Sequence, residues 1–298
     1  MDYDVIIVGG GIAGLTASIY IKRGNKNVLL LESSAIGGQI LSAKDVTNYP
    51  GFEHISGLDL MKNVYKQALD LGVDIKYENV LSINGEDNNF SVNTNSTSYN
   101  ARKIILSLGA SPRKLGITNE DKYIGKGVSF CATCDGNFFK NKDVAVIGGG
   151  DVALDDALFL SDIVNKVYIV HRRNEFKAEA SLVDKVNEKD NIELVMNSDV
   201  LSIEGNDFVE KIIVKEGDNT KDINVSGVFI CIGRMPDTKD FEIEKDELGY
   251  IITDDNLMTS IKGIYAAGDV RKKEVRQLTT AAADGTICAV KILKELQN

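Results

Sequence analysis

The chain has 298 residues, 43% of them apolar and 26% charged, and a formal net charge of −10. That length carries about two domains of ordinary size, and the composition is that of a globular chain, not a disordered one. The acidic balance speaks against a nucleic-acid partner and against an anionic membrane surface, and no apolar run in the sequence approaches a membrane span.

Met1 to Asp4 has no basic segment and Val5 to Val8 is too short for a signal-peptide core, so the chain reads as soluble and cytoplasmic. The run Asp4 to Val8 reads as a buried strand of a parallel sheet. It enters Gly9-x-Gly11-x-x-Gly14, and Ile12 to Ile21 has a helical pattern ending near Arg23-Gly24, a C-cap. A second strand, Val28 to Leu31, ends at Glu32. In this setting Gly9 permits the tight turn, Gly11 lets backbone approach a pyrophosphate, and Gly14 lets the helix pack on the sheet. The helix start offers free N–H groups to that phosphate. Glu32 is placed to accept a ribose hydroxyl and repels a 2′-phosphate, so the first site suits FAD or NAD.

Gly37-Gly38-Gln39 through Asn48 to Phe52 reads as loop. Its small residues and amides suit backbone close to a ligand, and an ordinary surface loop fits equally well. Leu58 to Leu71 has an amphipathic helical pattern, and Phe90 to Val92 and Lys103 to Leu106 read as strands. Pro112 and Pro236 each follow a glycine and a strand-like run. They mark where the chain enters and leaves an inserted domain, giving residues 1–112 with 240–298 as one domain and 113–239 as the other.

The insert carries Cys131-Ala132-Thr133-Cys134-Asp135-Gly136. Four cysteines are too few for a disulfide scaffold, and a close pair in a reducing compartment is catalytic or metal-binding. A structural zinc wants four ligands. Cys231 and Cys288 lie far along the chain and read as buried, and neither His54 nor His171 has finger spacing, so no metal is expected.

Asp143 to Ile147 is again a strand, running into Gly148-x-Gly150-x-x-Ala153 and a helix from Asp151 to about Ser161. The next strand, Val167 to Val170, ends in His171-Arg172-Arg173, with Lys177 close behind. Where the first unit has an acid, the second has cations. An arginine fork matches a 2′-phosphate, so this site suits NADP(H), against the alternative of a solvated basic loop. His171 reads as a polar neighbour of the site, not a catalyst. After Pro236 mixed strands are expected, then Ile264 to Asp269. Gly268-Asp269 beside a flavin would place a carboxylate against a ribityl hydroxyl, although alone it is any turn. Arg276-Gln277-Leu278 leads into a terminal helix.

In this order, GGGIAG, GGQ, CATCDG, GGG-x-x-A, HRR-x-x-F-x-A, the Gly-Asp turn and the Arg-Gln pair resemble the low-molecular-weight NADPH–thioredoxin reductases. These are the bacterial type within the pyridine nucleotide-disulfide oxidoreductases, and the likeness spans nearly the whole chain. The resemblance implies an α/β fold of two Rossmann-like domains, the second inserted in the first, and a homodimer. It implies FAD lined by Glu32, Gly38, Gln39, Asn48, Asp269, Arg276, Gln277 and Leu278, and NADPH held by Arg172, Arg173 and Lys177. Cys134 would be the thiol nearer the flavin, Cys131 the one attacking thioredoxin, and Asp135 the acid/base.

Four positions depart from the family pattern: Lys177 stands where arginine is commoner, Asn137 where an apolar residue is usual, Lys262 for a frequent proline and Ala283 for a frequent glycine. The rivals are a relative reduced by ferredoxin, a dithiol oxidase using oxygen, and a non-catalytic flavin redox sensor. Gly148, Gly150, Arg172 and Arg173 count against the first two, and the third has no need of a cysteine pair beside a second nucleotide turn.

The dithiol and the nicotinamide site share the insert, and both need one flavin in the other domain. A rotation about the two crossovers is therefore expected. Locking the domains with a crosslink should abolish turnover while FAD stays bound; full turnover in the locked protein would refute the rotation.

Overall fold

The computed structural model describes residues 2–43 and 45–297. In chain order the elements are β1 (Tyr3–Val8), α1 (Ile12–Arg23), β2 (Val28–Glu32), α2 (Gly57–Asp70), β3 (Asp74–Tyr77), β4 (Val80–Glu86), β5 (Asn89–Thr94), β6 (Ser98–Leu106) and β7 (Ala110–Pro112). There follow α3 (Glu120–Tyr123), β8 (Val128–Ser129), α4 (Ala132–Asp135), β9 (Asp143–Ile147), α5 (Asp151–Ser161), β10 (Lys166–Val170), α6 (Ala180–Asn187) and β11 (Ile192–Val195). Then come β12 (Ser198–Glu204), β13 (Lys211–Glu216), β14 (Asn219–Asn224), β15 (Gly227–Ile230), β16 (Arg234–Pro236), β17 (Ile264–Ala266) and α7 (Leu278–Glu295). Two compact units form, Met1–Ser111 with Met235–Asn298, and Pro112–Arg234. Each has a parallel sheet of the doubly wound α/β kind, which is the expected fold class.

In the first unit the strands run β3-β2-β1-β6-β5-β4, with β17 also pairing β6. The amino half of β6 pairs antiparallel with β5, and its carboxyl half pairs parallel with β17. The apolar strands are covered on both faces, as a parallel sheet requires. Val5, Ile7, Val28 and Leu30 pack with α1 and α7 residues such as Leu15, Ala17, Ala289 and Ile292. Their neighbours Ile6, Val8, Leu29 and Leu31 point the other way, onto Phe90, Val92 and Ile251. Each such buried side chain contributes roughly 1.5–3 kcal/mol.

Lys103 is the exception on these strands. It is 3% exposed. Its ammonium meets Asp87 at 2.5 Å and Glu295 at 3.0 Å, tying β6 to the β4–β5 turn and to the end of α7. Tyr265 donates its hydroxyl to the same Glu295.

One local expectation holds and two change. Helix α1 does end at Gly24, but Gly24 has φ −77°, and the left-handed residue is Asn25, at φ 57°. Gly24 is needed for space instead, because a Cβ there would stand 2.3 Å from the Leu293 side chain. The expected loop over 37–52, of which Lys44 lies outside the described residues, contains a 3-10 turn at Gly38–Ser42. The mixed strands expected after Pro236 are isolated bridges until β17. Asp246 accepts backbone N–H from Leu248 and Tyr250, and Asp254 accepts from Asn256 and Met258. Side chains that capture nearby amides divert them from a ladder.

The second unit holds a parallel sheet ordered β11-β10-β9-β15-β8 and a separate antiparallel sheet of β12, β13 and β14. Val144, Val146, Val167 and Ile169 face α5 through Ala153, Leu154, Ala157 and Leu160. Ala145, Ile147 and Val228 face the antiparallel sheet through Ile203, Ile212 and Val214.

In the first unit α1 and α7 touch at backbone distance. A Cβ on Gly285 would lie 2.2 Å from the Ala13 carbonyl oxygen. Gly285→Ala should therefore force the helices apart and cost about 1–3 kcal/mol, measured as a lowered midpoint in urea with an unchanged slope.

Candidate nucleotide sites and a redox disulfide

The first glycine turn is built by contacts that glycine alone permits. A Cβ on Gly14 would fall 2.0 Å from the Gly9 carbonyl oxygen, and one on Gly9, at φ +106°, would fall 2.4 Å from the Ser107 carbonyl. Ser107 secures the same spot, its hydroxyl donating to Val8 and Gly9 carbonyls. At Gly11 a Cβ would meet nothing within 4 Å. The turn is thus packed from behind and open in front, as a pyrophosphate cradle must be. Glu32 accepts from the Gly10 amide at 2.7 Å and the Ser34 amide at 2.8 Å. Its oxygens brace the turn and retain lone pairs for a ribose hydroxyl.

The same unit gathers the later residues. The Gln39 amide donates to the Ala110 carbonyl. Asn48 reaches Gln277 at 3.4 Å. Gln277 caps α7 reciprocally with Thr280, which leaves the helix start ordered at Leu278. The Arg276 guanidinium lies 4.2 Å from the centre of the Tyr250 ring. Tyr250 carries no sequence signal, because the pairing spans a long turn. Two buried polar atoms here, Asp269 Oδ1 and Arg276 Nε, have no hydrogen-bond partner among the described residues. Buried polar groups are normally satisfied, so both point to a polar ligand. This unit fits FAD: an open glycine cradle, an acid at the second strand end, and an unsatisfied carboxylate oxygen.

The second turn repeats the logic with different charges. A Cβ on Gly148 would lie 2.8 Å from the Ala153 side chain, and Gly150, like Gly11, faces open space. His171 is buried, and its ring fills the space above Gly149, where a Cβ would be 2.3 Å from Nδ1. The ring stacks on Phe176 and bonds the Glu175 carbonyl at 3.1 Å. Burial pushes its pKa down, and Arg173 and Arg172 add to that. His171 therefore braces the turn as a neutral ring. The Lys177 amide donates to the Gly149 carbonyl, and the Glu179 amide to Asp151, so the cationic loop folds back on the turn. Arg172, Arg173 and Lys177 are exposed and have no acidic partner among the described residues, which suits a 2′-phosphate.

Cys131 and Cys134 form a disulfide, with Cα atoms 5.3 Å apart, at the start of α4. The Asp135 amide donates to the Cys131 carbonyl. Ser129, at the end of β8, donates to the Asp135 carboxylate at 2.6 Å and accepts from the Cys131 amide at 3.1 Å. Burial raises the Asp135 pKa, and the Ser129 bond offsets part of that. Ser129 was not legible as a site residue; only the strand's position brings it under the disulfide. Asp156 of α5 backs the turn, bonding the Ala132 amide and accepting from the Cys231 thiol at 3.1 Å. Cys231, expected to be buried in its strand, is half-buried one residue past the end of β15. The Cys231 carbonyl lies where a Cβ on Gly148 would stand, 2.4 Å away. Burial, with Asp156 beside it, pushes the Cys231 thiol well up, so it is an inert thiol.

Two dinucleotide folds of opposite strand-end charge, one of them carrying a short-range disulfide, define a flavin- and nicotinamide-linked disulfide oxidoreductase. The comparisons agree. Residues 3–285 match the pyridine nucleotide-disulphide oxidoreductase family, and the chain belongs to it. A thioredoxin reductase of Treponema pallidum is 43% identical over 97% of this chain and 95% of its own length. One of Listeria monocytogenes is 40% identical over 99% and 95%. The crystal structure of a thioredoxin reductase from Streptococcus pyogenes superposes with a TM-score of 0.94 at 40% identity, covering 99% of this chain and 98% of that one. FAD and NADPH are the cofactors of this family. Among the described residues, no helix is long and apolar enough to cross a membrane.

Gly149→Ala should drive the His171 ring and its loop from the turn. The KM for NADPH is expected to rise about 10-fold or more while the FAD content stays that of the wild type, read by steady-state kinetics beside the flavin absorbance.

Proposed function

We propose that this chain is an NADPH-dependent thioredoxin-disulfide reductase, with the discontinuous unit as its FAD domain and the inserted unit as its NADPH domain. The observation that carries this is the Cys131–Cys134 disulfide beside a half-buried Asp135, in the unit whose second strand runs into Arg172 and Arg173, with Lys177 folded back on the glycine turn. Gly9, Gly11, Gly14, Glu32, Gly38, Gln39, Asn48, Asp269, Arg276, Gln277 and Leu278 hold FAD. Gly148, Gly150, Ala153, His171 and the three cations hold NADPH. When bound, the two cofactors together supply two electrons to the disulfide.

The remaining chemistry belongs to the chain. Reduction opens the Cys131–Cys134 bond and leaves two thiols. Asp135, whose pKa burial raises, holds a proton more readily than an exposed carboxyl and passes it to or from Cys134. The Cys131 thiolate attacks the thioredoxin disulfide, forming a mixed disulfide and expelling one thioredoxin thiolate. Cys134 then attacks the Cys131 sulfur, restoring the internal disulfide and releasing thioredoxin with both thiols. A reducing cytoplasm is where this exchange belongs. This reading includes a homodimer.

The test is anaerobic NADPH added to the yellow protein, followed by thioredoxin. NADPH should bleach the flavin and thioredoxin thiols should then appear. Cys134→Ser should keep the bleaching and lose the thiols. No bleaching by NADPH would favour a ferredoxin-driven relative instead, and bleaching without thioredoxin reduction would assign another disulfide substrate.

A further inference from the structure

A cluster of two carboxylates and two cations, buried at Asp284 and Lys273 and half-buried at Asp269 and Arg271, lies at the Gly268–Asp269 turn. Asp284, on α7, is 4% exposed. Its Oδ2 accepts from the Gly268 amide at 2.9 Å, from Arg271 Nε at 2.9 Å and from the Lys273 ammonium at 3.0 Å. Its Oδ1 accepts from Arg271 Nη2 at 3.0 Å. Burial favours the neutral acid, but Arg271 and Lys273 outweigh it and hold the Asp284 pKa below its ordinary value. The Lys273 side chain is itself 7% exposed and also reaches the Thr280 hydroxyl at 3.4 Å.

Lys273 Nζ stops 3.8 Å from Asp269 Oδ1, beyond hydrogen-bond reach, and that oxygen is buried with no donor among the described residues. An ammonium and an unsatisfied carboxylate oxygen in a desolvated pocket attract strongly, and contact between them is the arrangement expected of a pair left to itself. Asp284, helped by Thr280, holds the ammonium back.

We infer that Asp284 is a positioning residue that keeps Lys273 off Asp269, so that Asp269 retains an open acceptor for a hydroxyl of the flavin's polyol chain. This rests on the reading of the discontinuous unit as the FAD domain. A plainer role is that Asp284 only anchors the Gly268 amide and stiffens the turn. The two roles separate when Asp284 is neutralised. Asp284→Asn still offers an oxygen to the Gly268 amide but loses the charge that restrains Lys273. The ammonium then closes on Asp269, and FAD must displace it. Lys273→Met removes the competitor without restoring any anchor.

The experiment titrates FAD into deflavinated protein and reads the quenching of flavin fluorescence, with circular dichroism as the check of folding. Asp284→Asn should bind FAD about 10-fold or more weakly. The double variant Asp284→Asn with Lys273→Met should return to within about 3-fold of the wild type, and Lys273→Met alone should stay within the same range. A structural anchor predicts that the double variant is no better than the single one, and that result overturns the inference, as does unweakened binding by Asp284→Asn. If Asp284→Asn does not fold, Lys273→Arg decides. The longer guanidinium fork reaches Asp284 and Asp269 together, and should weaken FAD about 10-fold in a folded protein; unchanged binding refutes the gate. Failure of the wild type itself to bind FAD would overturn the domain reading, a different result from any of these.

Discussion

The close approach of α1 to the end of β1 is the constraint from which the first unit is built. Gly14 lies so near the Gly9 carbonyl that no side chain fits between them, and Ser107 closes the same corner from just past the end of β6. The helix start is thereby held against the sheet's carboxyl end, with its amides turned toward open space at Gly11. The same helix then meets α7 at Ala13 and Gly285. One stack of small residues runs from strand to helix to helix, and it carries the Gly268–Asp269 turn and the start of α7 to the cradle. A single methyl group inserted into that stack would displace every later part.

Charge does the sorting that shape cannot. Both units present a glycine turn after an apolar strand, with similar packing behind it. The first puts Glu32 at the end of its second strand; the second puts His171, Arg172 and Arg173 there, with Lys177 folded back on the turn. An acid near the ribose excludes a 2′-phosphate, and unpaired guanidinium groups attract one. Burial is the other lever. It raises the Asp135 and Asp156 carboxyls on either side of the dithiol turn and pushes the Cys231 thiol well above its ordinary value, which leaves that thiol a poor nucleophile.

The buried polar groups of the first unit divide into two kinds. Lys103 is satisfied by Asp87 and Glu295 and needs nothing further. Asp269 Oδ1 and Arg276 Nε have no hydrogen-bond partner among the described residues, Asp269 with the Lys273 ammonium 3.8 Å away and Arg276 lying over the Tyr250 ring. On the proposed FAD reading, the ion pairs gathered on Asp284 leave Asp269 as an acceptor for a polar ligand. That is the physical content of a preformed cofactor site.

Much of this protein was legible in its sequence, because the decisive signals are local. Apolar runs of strand length, the spacing of Gly9, Gly11 and Gly14 and of Gly148, Gly150 and Ala153, and the opposite charges at the two strand ends all act within a few residues of one another. The Cys131 and Cys134 pair is equally local, since two intervening residues already put the sulfurs in reach. What lay outside the sequence depends on pairings that no local pattern encodes, most of them between residues far apart in the chain. Ser129 under Asp135, Tyr250 under Arg276, Asp284 behind Asp269 and Asp156 against Cys231 are pairs made by strand order and helix packing, and no periodicity announces them. The strands expected after Pro236 failed for a related reason: Asp246 and Asp254 hydrogen-bond their own backbone, a competition that hydrophobic pattern does not register. Local chemistry thus determined which ligands the chain is built for, while only the tertiary structure decided which side chains hold the reactive groups in place, because those contacts exist only once the sheet has set its order.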